Sequence, residues 1–153
     1  MKDLVEKLIR ENKSVSTMES CTGGGVANAI TNIPGASEIL KFSAVTYSNE
    51  YKIKMGVSSE VIDKYSVYSM ETACEMSKSI SDFTLSSYGV GITGKLQRND
   101  INNPYGKDNV VYISIYDREN NKYYNKELEV TKDTRVGNKE LVINEVINIF
   151  MSI

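Results

Sequence analysis

The chain of 153 residues contains no histidine. That absence removes Ser-His-Asp and Cys-His arrangements and every His-based zinc site together. Acid–base chemistry therefore falls to Lys, Tyr, Glu, Asp or water. Cysteine is nearly absent too. Cys21 and Cys74 show neither metal-ligand spacing nor a disulfide framework, and a reducing cytosol is the expected setting. No apolar run reaches the roughly 18 residues of a membrane span. The opening MKDLVEKLIREN is charged throughout, unlike a secretion signal. The net charge of −2, with lysines scattered along the chain, offers no basic stripe for a nucleic-acid backbone. No GxxxxGK[ST] is present, so there is no case for a P-loop.

What is present is ordinary in bulk, with 41% hydrophobic and 25% charged residues. One domain spanning 1–153 is expected, long enough to bury a core. Leu4, Val5, Leu8 and Ile9 predict a helix over about 2–12. Val15 and Thr17 begin an extended stretch running into Ser20. Val26, Ala27 and Ile30 predict a helix from Gly24 to about Ile33, ended by Pro34 and Gly35. Phe42 to Ser48 reads as a strand, Asn49 to Met55 as a helix stopped by Gly56, and Ser58 to Val61 as the cap of another. Ala73, Met76, Ile80 and Phe83 share one face of an amphipathic helix over 70–85. Tyr88 to Thr93 reads as a buried strand, followed by a polar loop from Gly94 to Asp108. Two strands, Val110 to Tyr116 and Tyr123 to Val130, form a hairpin around Asp117 to Asn121. Val142, Val146, Ile149, Phe150 and Ile153 mark a last helix. Interleaved helices and strands predict an α/β layered domain with a mixed sheet.

The segment TMESCTGGGV, Thr17 to Val26, sets a serine and a cysteine beside three glycines where a strand becomes a helix. Glycines permit positive φ and close approach, Thr22 is placed to cap the helix, and free amides at a helix start attract anions. The turn is open to three readings: a nucleophile with amides ready for an oxyanion, a cradle for an anionic ligand, or a tight connection. Cys21 competes with Ser20 as nucleophile, because a thiol near a helix start becomes reactive. A small buried cysteine is nonetheless a common core residue, and Cys21 and Cys74 are both read as structural.

A second cluster, VTYSNEYK from Val45 to Lys52, places Tyr47 at a strand end and Lys52 about one turn into the next helix. A lysine serves as general base when burial lowers its pKa, and a tyrosine hydroxyl can relay the proton. Without histidine, a Ser/Tyr/Lys set is one of few ways to activate a serine. Spacing alone reads instead as a core-packed Tyr47 and a solvated Lys52.

Glu19 to Gly24, then NIPGAS from Asn32 to Ser37, then VTYSNE with Lys52, then Met55-Gly-Val57 together resemble the C-terminal domain of the CinA family. The resemblance runs from the first helix to about Gly94, with a weaker echo in the final strands and helix. It implies a three-layer α/β/α domain that hydrolyses the carboxamide of nicotinamide mononucleotide, giving nicotinic acid mononucleotide and ammonia without cofactor or metal. It also implies Ser20 as nucleophile, Tyr47 and Lys52 as catalytic partners, and substrate contacts at Thr22, Gly23, Gly24, Thr93, Gly94 and Arg135. Homo-oligomers, a dimer or larger, are expected. The chain departs from the family where the latter reads close to TGIAGPGGGTPEKPVGTV. Here Lys95 and Arg98 either supply phosphate contacts by side chain or stand as surface charges. Hydrolysis of another small amide and a non-catalytic, nucleotide-binding or competence-associated role remain the rival readings.

Overall fold

The computed structural model describes residues 1–97, 101 and 104–153. Five strands form one mixed sheet: β1 (Val15–Glu19), β2 (Leu40–Val45), β3 (Tyr88–Gly94), β4 (Val110–Asp117) and β5 (Lys122–Glu129). Their spatial order is β2-β1-β3-β4-β5. β1 runs parallel to both β2 and β3, while β4 is antiparallel to β3 and to β5. β1 is buried throughout, whereas the edge strand β5 is mainly exposed.

Helices cover both faces. On one lie α1 (Lys2–Arg10), α2 (Gly25–Thr31), α3 (Ala36–Ile39) and α7 (Arg135–Met151). Leu4, Leu8, Val26, Ile30, Val142, Val146 and Phe150 pack there against Val15, Val90, Ile92, Val111, Ile113 and Ile115. The other face carries α5 (Ser59–Tyr65) and α6 (Met70–Thr84). There Met18 packs with Val57, Ile62, Val67, Met76 and Ile80. The short α4 (Asn49–Lys54) follows β2. The mixed sheet with layered helices is the one expected from the residue pattern, and the three α/β/α layers are those the resemblance implied.

Most elements fall within a few residues of their expected bounds. Two differences are physical. Phe83 leaves the buried face that Ala73, Met76 and Ile80 keep, and packs instead on Phe42 of the edge strand, with ring centroids 5.7 Å apart. The last helix begins at Arg135, well ahead of the apolar stripe from Val142 that marks it, because Thr134 caps α7 by accepting from Gly137 N.

Chain direction decides where chemistry gathers. From β1 the chain passes to β2 on one side and returns to β3 on the other, a topological switch point, and ligands favour the carboxyl ends of strands there. Ser20, Thr46 and Gly94 stand at those ends. Two reversals in the hairpin make β5 parallel to β3, so the start of α7 joins them.

Candidate active site

Ser20 continues β1 by one ladder bond, its amide donating to the Ile92 carbonyl at 3.0 Å. The chain then turns sharply: Gly23 N bonds the Ser20 carbonyl at 2.9 Å, and Gly23 and Gly24 take φ of +63° and +88°. Only glycine adopts such angles without strain.

The carboxylate that shapes the turn is Glu19, a residue whose role the sequence motif does not reveal. Fully buried, it accepts from Thr22 Oγ1 at 2.6 Å, Val26 N at 3.1 Å, Ala27 N at 3.0 Å and Thr17 Oγ1 at 3.2 Å. Thr22 therefore does not cap α2. The N-cap is Gly24 without a side-chain bond, and the second and third helical amides are held by Glu19. The helix start is thus already neutralised by the protein's own anion, which corrects the reading of that N-terminus as a ligand cradle. The amides of Thr22 and Gly24, by contrast, have no hydrogen-bond acceptor among the described residues.

Lys52 projects from α4, whose N-cap Ser48 accepts from Tyr51 N. It is 1% exposed, and its amine donates to Ser20 Oγ at 3.1 Å and to the Thr46 carbonyl at 2.7 Å. No carboxylate pairs with it among the described residues. Burial therefore lowers its pKa to about 8, opposed by the neighbouring Cys21. The solvated alternative for Lys52 is overturned. Burial pushes the Cys21 thiol up to about 12, against its own backbone amide and the Lys52 charge, so it stays protonated at neutral pH.

Tyr47 stands elsewhere. It is 66% exposed, neither core-packed nor between Ser20 and Lys52, and its hydroxyl accepts from Arg135 Nη2 at 3.5 Å. One turn along α7, Lys139 places Nζ 3.3 Å from the point a Cβ on Gly23 would occupy. The i,i+4 spacing of Arg135 and Lys139 on a helix was the available signal for this residue.

Thr93 is buried and donates to the Val67 carbonyl at 2.9 Å. A Cβ on Gly94 would meet Val110 O at 2.5 Å, so the glycine there serves the close crossing of β3 and β4. Lys95 is buried rather than free. Its amine bonds Asp108 at 3.1 Å and lies 5.1 Å from the Tyr68 ring centroid. Arg98, its suggested phosphate partner, lies outside the described residues. No group of three or more Cys, Asp or Glu side chains positioned for a metal occurs among the described residues, and none of the described helices is long and apolar enough to cross a membrane.

Fold and site together define a three-layer α/β domain with a buried serine–lysine pair at a topological switch point. The family model for the CinA C-terminal domain matches residues 1–152, and the chain belongs to that family. A competence-damage inducible protein of Clostridium botulinum (strain Langeland) is 35% identical over 140 residues, 90% of this chain and 32% of that protein. A CinA-like protein of Endomicrobium trichonymphae is 46% identical over 88 residues, 57% of this chain and 21% of its own length. The chain thus spans a third or less of these curated relatives. Among solved structures, the competence/damage inducible protein CihA of Agrobacterium tumefaciens superposes with a TM-score of 0.85 at 25% identity, covering 99% of this chain and 93% of that one. A CinA superfamily protein of Escherichia coli shares the fold at a TM-score of 0.84 and 21% identity, covering 98% and 88%.

Proposed function

We propose that this chain is an amidohydrolase that converts the carboxamide of nicotinamide mononucleotide into the carboxylate, releasing ammonia. The observation that carries the reading is the 3.1 Å contact between Ser20 Oγ and the buried Lys52 amine, which has no carboxylate partner among the described residues. A serine needs a base, and Lys52 supplies one whose pKa of about 8 suits neutral solution. In this mechanism the neutral amine takes the Ser20 proton as Oγ attacks the amide carbon. The Thr22 and Gly24 amides hold the developing oxyanion. The Lys52 ammonium then protonates the departing nitrogen, and water enters to hydrolyse the acyl-serine. Tyr47 is not required as a relay, because the amine reaches Oγ directly.

Arg135 and Lys139 support an anionic substrate. Neither has a carboxylate partner among the described residues; Lys139 flanks the turn and Arg135 stands one helical turn before it on α7, a pair of cations suited to a nucleotide phosphate. The engagement of Lys95 by Asp108 favours a second reading, another small amide, since this cation is not free for the phosphate.

Ammonia release from nicotinamide mononucleotide is the test, with wild type, Ser20→Ala and Lys52→Ala compared. Turnover by wild type and its loss in both variants supports the reading. A fully active Ser20→Ala enzyme overturns it. Binding without turnover by wild type points to a non-catalytic nucleotide-binding protein.

A further inference from the structure

Thr46 carries the one buried side-chain oxygen or nitrogen among the described residues that lacks a hydrogen-bond partner. The residue is 2% exposed. Hiding a hydroxyl from water with nothing to bond costs free energy, and such a group calls for a specific cause. Threonine brings one donor and two acceptor positions, and none is used among the described residues.

Its location supplies the cause. β1 and β2 pair in parallel with Glu19 opposite Val45. The ladder runs one step further, since Thr46 N donates to the Glu19 carbonyl at 2.9 Å, and this sets Thr46 beside Ser20. Side chains alternate along a strand. Met18 and Ala44, each two residues earlier, pack on the α6 face, so Ser20 and Thr46 project towards that same face. The Lys52 amine arrives there too, bonding both Ser20 Oγ and the Thr46 carbonyl. A nucleophile, its base and an idle hydroxyl therefore share one small buried region.

We infer that Thr46 Oγ1 is a further catalytic group, the acceptor that holds first the nitrogen leaving the substrate and then the water that replaces it. The inference rests on the hydrolytic reading above. As Ser20 Oγ bonds the carbonyl carbon, its proton passes to Lys52. The carbon–nitrogen bond breaks when Lys52 returns that proton to nitrogen, and ammonia leaves. Water occupies the vacated position, gives a proton to Lys52 and bonds the acyl carbon. The carbon–Oγ bond then breaks, and Ser20 recovers its proton. Amide plus water becomes acid plus ammonia, with nothing oxidised or reduced. In both halves the group beside Lys52 is an N–H or O–H donor with a spare hydrogen. Accepting it turns the lone pair towards Lys52 for the first transfer and towards the acyl carbon for the second. The oxyanion is assigned to the turn amides, which are donors, and an acceptor would be of no use to it.

The test uses Thr46→Val, which keeps the shape and deletes the hydroxyl, together with Thr46→Ser, which keeps the hydroxyl. With nicotinamide mononucleotide, Thr46→Val should lower kcat by about 10- to 100-fold, the loss of one hydrogen bond made in the transition state. Its KM should stay within about twofold and its melting temperature equal or exceed that of wild type. Thr46→Ser should keep most of kcat. A Thr46→Val enzyme with wild-type kcat overturns the inference while leaving the hydrolytic reading standing. If wild type releases no ammonia, that reading fails first, and a high-resolution crystal structure of the free protein decides on Thr46. An ordered water bonded to both Thr46 Oγ1 and the Ser20–Lys52 pair supports the group, and Oγ1 bonded to a protein atom with no such water overturns it.

Discussion

Lys52 Nζ reaches Ser20 Oγ at 3.1 Å across 32 residues of sequence, and no carboxylate shares the contact among the described residues. Lacking a counter-charge, the buried amine loses its proton near pH 8 rather than near the 10.5 of a free lysine. About a tenth of the molecules then carry neutral Lys52 at pH 7, several hundred times more than an exposed lysine would provide. If neutral Lys52 is the base, kcat/KM should climb about tenfold per pH unit below 8 and level off above it. Initial ammonia-release rates between pH 6 and 9.5 check this. A profile flat through that range would remove Lys52 from the role. Lys52→Arg should be inactive, because a guanidinium stays charged throughout.

The same burial costs stability. The folded pKa lies below the unfolded one, so between about pH 8 and 10.5 the unfolded chain binds more protons, and stability should rise with pH across that window. Below pH 8 the amine is charged in both states and the penalty is complete. At about 1.4 kcal/mol per pH unit, its ceiling is about 3 kcal/mol. Replacing a buried charge by an apolar chain of similar length removes that penalty. Lys52→Met should therefore gain about 1–3 kcal/mol at pH 7 while losing all turnover. Urea denaturation at pH 7 and pH 10 is the measurement, and the variant should also lose the rise above pH 8.

Much of this architecture was readable beforehand, and the parts that were not share a cause. Helices and strands followed from periodicity, since Leu4, Val5 and Leu8 or Val142, Val146 and Phe150 can only line a buried stripe. The pairing of Ser20 with Lys52 followed from motif resemblance rather than from spacing, because nothing local tells a buried lysine from a solvated one. Glu19 escaped a role because a lone acidic residue at a strand end carries no periodic signal. Its function depends on α2 folding back so that two amides meet it. Thr46 and Lys139 escaped for the same reason: one matters through the neighbouring strand, the other through a helix more than a hundred residues away in sequence. Tyr47 had the opposite problem, sitting beside the right residues in sequence while its side chain turns out to Arg135.

Glu19 offers a sharp test of what builds the turn. Its two oxygens receive four donors, two hydroxyls and two amides, in a buried site. In Glu19→Gln one oxygen becomes an NH₂ that faces donors. At least one buried amide or hydroxyl is then left unpaired, and the helix start loses its neutralising charge. The variant should lose about 2–4 kcal/mol of stability and should lose turnover beyond that, because Ser20 and the oxyanion amides ride on the same turn. Chemical denaturation and ammonia release measured together should show both effects.

The two cysteines should separate cleanly. Cys21 is buried with its thiol pushed up to about 12, and Cys74 is only partly covered. At pH 7.5 iodoacetamide should modify Cys74 and spare Cys21, as peptide mass mapping would show. Cys21→Ala should keep kcat within about threefold, with a modest loss of stability from the small cavity. Rapid alkylation of Cys21 that tracks loss of activity would instead make the thiol the nucleophile and displace Ser20.

The rim should govern binding rather than chemistry. Arg135 and Tyr47 are both exposed and bonded to each other, and Lys139 stands over Gly23 one turn further along α7. None of the three touches the Ser20–Lys52 contact. A guanidinium and an ammonium with no carboxylate partner among the described residues bind phosphate through charge-assisted bonds worth about 1.5–3 kcal/mol each. Arg135→Ala and Lys139→Ala should each raise KM for nicotinamide mononucleotide by about 10- to 100-fold and leave kcat within about threefold, the pattern of binding shared equally by ground and transition states. Tyr47→Phe should have a smaller effect on KM and little on kcat, since its hydroxyl only orients Arg135. The decisive comparison is nicotinamide riboside, which keeps the amide and lacks the phosphate. Wild type should use it with a raised KM, and Arg135→Ala should lower kcat/KM for the riboside hardly at all. If the variant impairs both substrates equally, the rim acts on the turn rather than on the phosphate. A large fall of kcat in Tyr47→Phe would return that tyrosine to the reacting atoms.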